Sequence, residues 1–264
     1  PHLPGSSGER RELGGVMGRR ESLLQDTARV IHPEFAPGRR ILAVSDIHGN
    51  LPFFRGLLQQ VRFAPEDILV LDGDMLEKGR ESLALLRYIM ELSRTHTVYP
   101  ICGNCDGLVS RFFETDELDA GFYASYLPQH PESILRQLAE EMGYEGWMDF
   151  PGLRAALRER YPEIRAWLAG LPTILETEHL VFVHGGVPSL DHMEKLSRWK
   201  CMKNDDFLGQ GRSFSKYVVV GHWPVTLYNA QIPSPAPLFE RERKIISIDG
   251  GCVLKADGQL NALI

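Results

Sequence analysis

Short apolar runs recur along the chain, and each ends in a small polar turn. Six runs are typical of strands buried on both faces: "ILAVS" (41–45), "DILVLD" (67–72), "TVYPIC" (97–102), "LVFVHG" (180–185), "YVVVGH" (217–222) and "KIISIDG" (244–250). Two segments between them repeat apolar residues at helical spacing: "PFFRGLLQQVRF" (52–63) and "ESLALLRYIMELSR" (81–94). The alternation predicts a layered α/β fold in which helices flank β-sheets.

The segment 107–170 interrupts this alternation, since it contains helical patterns such as "PESILRQLAEEMG" and few strand signals. It predicts a helical insertion within a domain that spans residues 39–264. We expect residues 1–38 to form an N-terminal arm, tag-derived or disordered at 1–16, because that stretch is rich in Gly, Ser and Arg and lacks periodicity. Near the other end, Asp257-Gly258 predicts a hairpin turn between "GCVLKA" and "DGQLNALI".

Composition narrows the class of protein. The 264 residues are 43% hydrophobic and 24% charged, which is ordinary for a globular protein. A net charge of −6 gives no electrostatic basis for binding duplex nucleic acid or an anionic membrane. No apolar run approaches the ~18 residues that span a bilayer. Four cysteines are too few for a disulfide framework, so we expect a reducing, cytoplasmic location; the oligomeric state stays open.

The polar turns after five of the runs carry residue types that bind metals, at the strand ends where α/β sheets place their chemistry. They are Asp46, His48, Asp74, Asn104, His184 and His222. Two carboxylates, three imidazoles and an amide oxygen exceed the needs of one tetrahedral zinc. They suit two divalent ions that share a carboxylate, ~3.5–4 Å apart. Mixed nitrogen and oxygen donors favour Mn²⁺, with Fe, Zn²⁺ or Ni²⁺ as alternatives, over Mg²⁺.

Each of these residues alone also has an ordinary structural explanation. Asp46 could stabilise a turn and Asp74 could cap a helix, while His184 and His222 could be satisfied core histidines. Asn104 could bond its own backbone. The six occur together at strand ends, which favours one metal site over six coincidences.

Five blocks between Asp46 and about Cys252 carry a resemblance to a known family. They are "DIHGN", "GDMLEKG", "GNCD", "FVHGG" and "VGHWP". In this order they resemble the motif blocks of the calcineurin-like metallophosphoesterases, nearest the branch of phosphoprotein phosphatases and symmetrical diadenosine tetraphosphate hydrolases. Pro224 stands where other branches have a histidine, which supports that placement. The resemblance implies a layered β-sandwich flanked by helices.

The resemblance also implies roles for the six candidate ligands. Asp46 and His48 would bind the first ion, Asp74 would bridge both ions, and Asn104, His184 and His222 would bind the second. A hydroxide between the ions would attack a phosphomonoester in line at phosphorus. Two alternatives stay open: hydrolysis of phosphodiesters or dinucleoside polyphosphates, and a protein that binds metal and phosphate with little turnover.

The chain departs from the phosphoprotein phosphatase pattern near the phosphoryl group. Glu77 and Lys78 replace Asp and Arg, and Cys105 replaces the histidine that protonates the leaving oxygen. A thiol is a slower proton donor than an imidazole at neutral pH, so Cys105 favours diesters, nucleotides or activated monoesters as substrates. "GNCD" itself resembles a phosphodiesterase branch. Glu77 and Asp106 are the candidates for replacing the missing acid.

The candidate substrate-binding residues are Lys78, Asn104 and Arg198. Lys78 offers a point charge where the family has a bidentate guanidinium. A second phosphate-binding arginine is expected between the two late histidines, where "SRWKCMKNDDF" (197–207) offers Arg198, Lys200 and Lys203. We predict that Arg198 fills that role.

Overall fold

A computed structural model describes residues 25–228 and 234–264, so the prediction for residues 1–16 lies outside the described residues. The strands are β1 (Val30–Ile31), β2 (Ile41–Val44), β3 (Ile68–Asp72), β4 (Thr97–Ile101), β5 (Ile174–Glu176), β6 (Leu180–Val183), β7 (Tyr217–Val220), β8 (Leu238–Glu240) and β9 (Ile245–Ser247). The α-helices are Leu51–Gln60, Ser82–Leu92, Asn104–Glu114, Ala124–Gln129, Ile134–Met142, Phe150–Arg160, Pro162–Ala169 and Arg198–Met202. All six predicted strands and both predicted crossover helices are present.

Two sheets pack face to face between layers of helices. The smaller sheet is parallel, in the order β2-β3-β4, and the larger runs β1-β5-β6-β7-β9-β8. Ala43 of β2 packs with Phe182 and Val219 of the larger sheet. Its neighbour Leu42 joins the core beneath the helices, and Val218 joins the core on the outer face of the larger sheet. Alternate residues of each strand therefore pack on opposite faces of the sheet. The predicted α/β fold with helix-flanked sheets is confirmed.

The turn after β2 leads directly into the helix Leu51–Gln60. The Asn50 side chain accepts a hydrogen bond from Phe53 N at 3.2 Å, and Pro52 occupies the first turn, where a backbone donor has no partner within the helix. Phe54 and Leu58 are the buried face of this helix. The ligand-bearing turn is thus held between a buried strand and a capped helix.

Residues 107–170 are mainly helical and lie beside the turns after β3 and β4, which carry the predicted ligands Asp74 and Asn104. Leu138 and Leu153 belong to the same core as Phe54, so these helices share the core of the crossover helices. The Glu77 carboxylate ties them to the turn after β3, because it accepts hydrogen bonds from Ile134 N at 2.8 Å and from the Tyr126 hydroxyl at 2.6 Å. The boundaries 39–264 and 107–170 stay predictions. None of the helices described here has the length and apolar content needed to cross a membrane.

The predicted hairpin at Asp257-Gly258 is wrong. Gly251 and Gln259 form an isolated parallel bridge, and the chain then continues to β2. Leu263 exchanges both backbone hydrogen bonds with Ala43, each at 2.9 Å. β2 is the outer strand of the smaller sheet, so this pairing satisfies backbone groups that a local hairpin would leave unpaired.

Candidate metal centre

The turns after β2, β3, β6 and β7 converge at one edge of the two sheets. Their backbones are left-handed at four predicted ligands, with φ of 53° at Asp46, 47° at His48, 51° at Asp74 and 65° at His222. Residues other than glycine adopt this conformation rarely, and such strain concentrates at functional sites. The turns are therefore shaped to aim side chains, at a cost in local stability.

One group of donors surrounds the Asp74 carboxylate. His184 Nε2 lies 3.2 Å from Asp74 Oδ2 and 3.9 Å from Asp46 Oδ1. His48 Nε2 lies 3.6 Å from Asp46 Oδ1 and 3.7 Å from Asp74 Oδ2. All four residues are buried. Two carboxylate oxygens and two imidazole nitrogens thus face a common point.

A second group of donors lies against the first. His222 Nδ1 is 3.0 Å from Asn104 Oδ1, and the His184 and His222 rings have centroids 5.3 Å apart. Ligand atoms of Asp74, His184 and His222 lie within 4.8 Å of one another, as do those of His48, Asp74 and Cys105. Asp74 is the residue common to both sets. The structure therefore brings all six predicted ligands together, with Asp74 between the others.

Hydrogen bonds orient each imidazole. His48 Nδ1 lies 3.2 Å from Leu76 O, and His184 Nδ1 lies 2.8 Å from Asp72 O. Because a carbonyl can only accept, Nδ1 is the donor in both rings, and Nε2 is left to bind a cation. His184 Nε2 is buried and makes no hydrogen bond. His222 has the opposite arrangement, with Nε2 2.6 Å from Asp205 Oδ1 and Nδ1 facing Asn104.

The pKa values of the buried carboxylates and imidazoles show how charge is distributed at the site. Burial would raise the pKa of the Asp74 carboxyl, but the His184 and His48 imidazoles hold it well below its usual range. Burial opposes protonation of His184, yet the Asp74 and Asp46 carboxylates raise its pKa well above the ordinary value. Burial and the Asp46 charge raise the pKa of nearby Asp249 to about 8. The buried Asp46 and Asp74 carboxylates thus favour positive charge beside them, and the neighbouring imidazole nitrogens are donors that cations accept, so the residues present fit divalent metal ions.

Glycines allow the two carboxylates to approach the neighbouring turns. A Cβ at Gly221 would lie 2.3 Å from Asp46 Oδ2, and a Cβ at Gly103 would lie 2.2 Å from Asp74 Oδ1. Both oxygens also accept backbone hydrogen bonds, from His222 N at 3.0 Å and from Cys105 N at 2.9 Å. The remaining oxygen of each carboxylate is thereby directed towards the imidazoles.

The three predicted catalytic residues have different surroundings. Cys105 lies beside the ligands in the first turn of the helix Asn104–Glu114, and burial together with the Asp74 charge raises the pKa of its thiol well above the ordinary value. The Glu77 carboxylate is engaged by Tyr126 and Ile134. Asp106 accepts hydrogen bonds from four backbone N–H groups, those of Asp74, Met75, Leu76 and Gly103, at 2.8–3.1 Å. Those bonds make Asp106 a support for the turn that carries Asp74.

Lys78 and Asn104 line a cavity of about 520 Å³ beside the ligands, which we call the Phe122 cavity because Phe122 forms part of its wall. Lys203 lines it too. Arg198, the predicted phosphate-binding residue, does not. Its Nη2 donates to Leu171 O at 3.0 Å, and it lines a separate cavity of about 400 Å³. Of the three basic residues predicted for the 197–207 segment, Lys203 lines the Phe122 cavity, whereas Arg198 and Lys200 do not.

The sequence reasoning missed two aspartates at the site. Asp249 lies two residues after Ser247, the last residue of β9, so its position at a strand end could have identified it as a candidate. Asp205 lies in the irregular stretch "KNDDF", where no motif or periodicity distinguishes it from Asp206. Asp249 is near the site because β9 pairs with β7, the strand that precedes His222, and Asp205 is there because its carboxylate contacts the His222 ring.

Replacing Asp205 with asparagine is expected to weaken Mn²⁺ binding at the second position about tenfold, because the ring of His222 loses its carboxylate partner. Calorimetric titration of Mn²⁺ into metal-free protein measures this affinity. Asp206→Asn is the matched control, since the Asp206 side chain accepts a hydrogen bond from Gly209 N in its own turn. Equal affinities in the two variants would contradict the assigned role.

The chain matches one protein family over most of its length. The family model for calcineurin-like phosphoesterases matches residues 39–246. The symmetrical bis(5'-nucleosyl)-tetraphosphatase of Glaesserella parasuis is 44% identical over 64 residues, 24% of this chain and 23% of that protein. Serine/threonine-protein phosphatase 2 of Salmonella typhimurium is 34% identical over 80 residues, 30% of this chain and 35% of that protein. The chain thus matches about a quarter to a third of the length of these curated relatives.

Solved structures share the fold over a longer stretch. A protein described as a candidate diadenosine tetraphosphatase superposes with a TM-score of 0.54 at 19% identity, over 89% of this chain and 92% of that one. A cold-active protein-tyrosine phosphatase of a Shewanella species gives 0.52 at 16% identity, over 92% of this chain and 79% of that one. At these identities the likeness is one of fold. By the extent of the family match, the chain belongs to the calcineurin-like phosphoesterases.

Proposed function

We propose that the chain hydrolyses phosphoesters that have good leaving groups, at a centre of two divalent ions for which Mn²⁺ is the first candidate. The observation that carries the proposal is the position of Asp74, which is shared between the two groups of donors. Ions bound there would activate a water molecule for attack on phosphorus and balance the charge of the phosphoryl group.

Different residues of the chain would bind the two ions and the phosphoryl group. Asp46, His48 and Asp74 would hold one ion; Asp74, Asn104, His184 and His222 would hold the other. Lys78 and Lys203 supply positive charge beside Asn104 in the wall of the Phe122 cavity, where they would bind phosphoryl oxygens as point charges. This arrangement supports binding of the phosphoryl group between the ions and the two amines.

The leaving group would depart without help from an imidazole. None of the described residues lining the Phe122 cavity is a histidine, and the position next to Asn104 is occupied by Cys105. General acid catalysis matters most when the leaving group is a strong base, such as a serine alkoxide. We therefore propose activated monoesters, diesters and nucleotides as better substrates than phosphoproteins. The similarity to a tetraphosphatase agrees with this preference. The similarity to a protein phosphatase is the reason that monoesters stay among the proposed substrates.

A substrate panel tests the proposal. Metal-free protein is supplied with Mn²⁺ and assayed with p-nitrophenyl phosphate, bis-p-nitrophenyl phosphate, diadenosine tetraphosphate and a phosphoserine peptide. We expect turnover of at least one activated substrate and the slowest rate for the peptide. Protein that binds two Mn²⁺ ions but hydrolyses none of the four would instead be a metal- and phosphate-binding protein.

Replacing Cys105 with histidine is expected to speed hydrolysis of alkyl monoesters about tenfold, because the variant gains a proton donor beside the leaving oxygen. Turnover of p-nitrophenyl phosphate should change less, since nitrophenolate leaves without protonation. Rates on O-phosphoserine peptide and p-nitrophenyl phosphate are compared with those of Cys105→Ala, which changes the same position without adding an acid. An unchanged peptide rate in a variant with normal metal content would refute this account of the leaving group.

A further inference from the structure

The Phe122 cavity has two chemically different sides. Its polar residues lie in or beside the ligand-bearing turns: Glu77, Lys78 and Asn104, with Lys203 after the short helix Arg198–Met202. Most of its other residues come from the helical segment 107–170 and are aliphatic or aromatic. The cavity therefore runs from the candidate metal centre to an apolar wall.

The polar side carries positive charge that a ligand can use. The Glu77 carboxylate is satisfied by Tyr126 and Ile134. Lys78 is exposed at the cavity edge, and Lys203 Nζ has Asp205 as a partner at 2.9 Å. The phosphoryl group bound by the proposed function would thus occupy the Lys78 side and leave the apolar side for another part of the substrate.

The apolar side is built from flat rings. Tyr126 stacks on Phe122, with centroids 5.0 Å apart and planes 16° apart, and on His130, with centroids 4.2 Å apart and planes 24° apart. Phe122 retains 37% of its accessible surface, although a phenylalanine ring gains from burial. Trp199 also lines the cavity. A planar ligand would extend this stack and cover the exposed part of Phe122.

We propose that the Phe122 cavity binds the leaving group of the substrate, and that this group carries a planar, fused-ring aromatic system. The inference rests on the proposed function, because the phosphoryl group at the metal centre sets where the leaving group lies. A volume of about 520 Å³ is within the range of sites for small molecules and accommodates two fused rings. Aryl alcohols and groups that contain a nucleoside both carry such rings, and the experiment separates them.

Binding of the ring system is measured without turnover. Calorimetry gives the dissociation constants of 2-naphthol and of adenosine for the unaltered protein and for Phe122→Ala. We expect Phe122→Ala to weaken binding about tenfold, from the loss of ring contacts. Phe239→Ala is the matched control, because Phe239 is 50% exposed on the outer strand β8 of the larger sheet. Tighter binding of adenosine than of 2-naphthol assigns a nucleobase, and the reverse assigns an aryl alcohol.

Kinetics then separate the cavity from the chemistry. The values of kcat/KM for 2-naphthyl phosphate and acetyl phosphate are compared, since both have good leaving groups and only the first carries rings. Phe122→Ala should lower the ratio of the two about tenfold. Gly121→Val is a second variant: a Cβ at Gly121 meets no atom within 4 Å, so the new side chain enters open space at the cavity wall and should lower the same ratio.

For each ligand, equal dissociation constants in the unaltered protein and Phe122→Ala would overturn the assignment, as would the absence of binding to the unaltered protein. If the ligands bind as expected but neither phosphate is hydrolysed, the cavity assignment holds and the proposed function fails. If both phosphates are hydrolysed with a ratio that neither variant changes, the proposed function holds and the cavity assignment fails.

Discussion

Asp74→Asn protein is expected to retain less than about one hundredth of the metal affinity and activity of the unaltered protein. Loss of a residue that only supports a ligand already costs about 10–100-fold, and Asp74 is the one donor shared by both groups. Asparagine has nearly the same shape, so the change removes charge rather than volume. Metal content after dialysis and turnover of p-nitrophenyl phosphate measure the effect.

Asp67→Asn is the control for this change. Asp67 is also a buried aspartate, but it precedes the first residue of β3, whereas Asp74 follows the last. Asp67 pairs with Arg40 at 2.7 Å. Its replacement should leave metal content and turnover near normal, whatever it does to thermal stability. Two tightly bound Mn²⁺ ions in Asp74→Asn would show that Asp74 does not join the two halves of the site.

Gly221→Ala is expected to lower activity about 100-fold, because a displacement of about 1 Å in a catalytic group can have that effect. The added methyl group would lie 2.3 Å from Asp46 Oδ2 and 2.5 Å from Ser45 Oγ, so the Asp46 side chain must move. The φ of Gly221 is not in the left-handed region, so the effect comes from contact and not from backbone strain. Turnover and Mn²⁺ affinity are the measurements.

Gly56→Ala provides the comparison. Gly56 lies within the helix Leu51–Gln60, and a Cβ there meets no atom within 4 Å. Alanine at this position should leave turnover unchanged and raise the melting temperature slightly, because alanine favours helix more than glycine does. Normal turnover in Gly221→Ala would mean that Asp46 does not need its present position.

The scaffold and the convergence of the six predicted ligands were predictable because their signals are local. The six strands are continuous apolar runs, and each ligand follows such a run within a few residues, so parallel pairing brings them to one edge. The hairpin prediction failed because Asp257-Gly258 is a local signal, whereas the pairing of Leu263 with Ala43 joins distant parts of the chain. A local sequence pattern predicts the structure correctly where no pairing with a distant part of the chain is more favourable.

The outer part of the site depends on details that such patterns do not carry. Arg198 begins one short helix and Lys203 directly follows it, and only the orientation of that helix decides which of them lines the Phe122 cavity. The wall of that cavity includes a π-helical turn, Asp119–Tyr123, whose hydrogen bonding no heptad or alternation pattern predicts. Asp205 reaches His222 across 17 residues without any regular element specifying the contact.

Anomalous diffraction from crystals grown with Mn²⁺ tests the central claim most directly. The account predicts two peaks about 3.5–4 Å apart, with the Asp74 carboxylate contacting both. It also predicts Asp46 and His48 at one peak, and Asn104, His184 and His222 at the other. A single peak, or two peaks that Asp74 does not join, would contradict it.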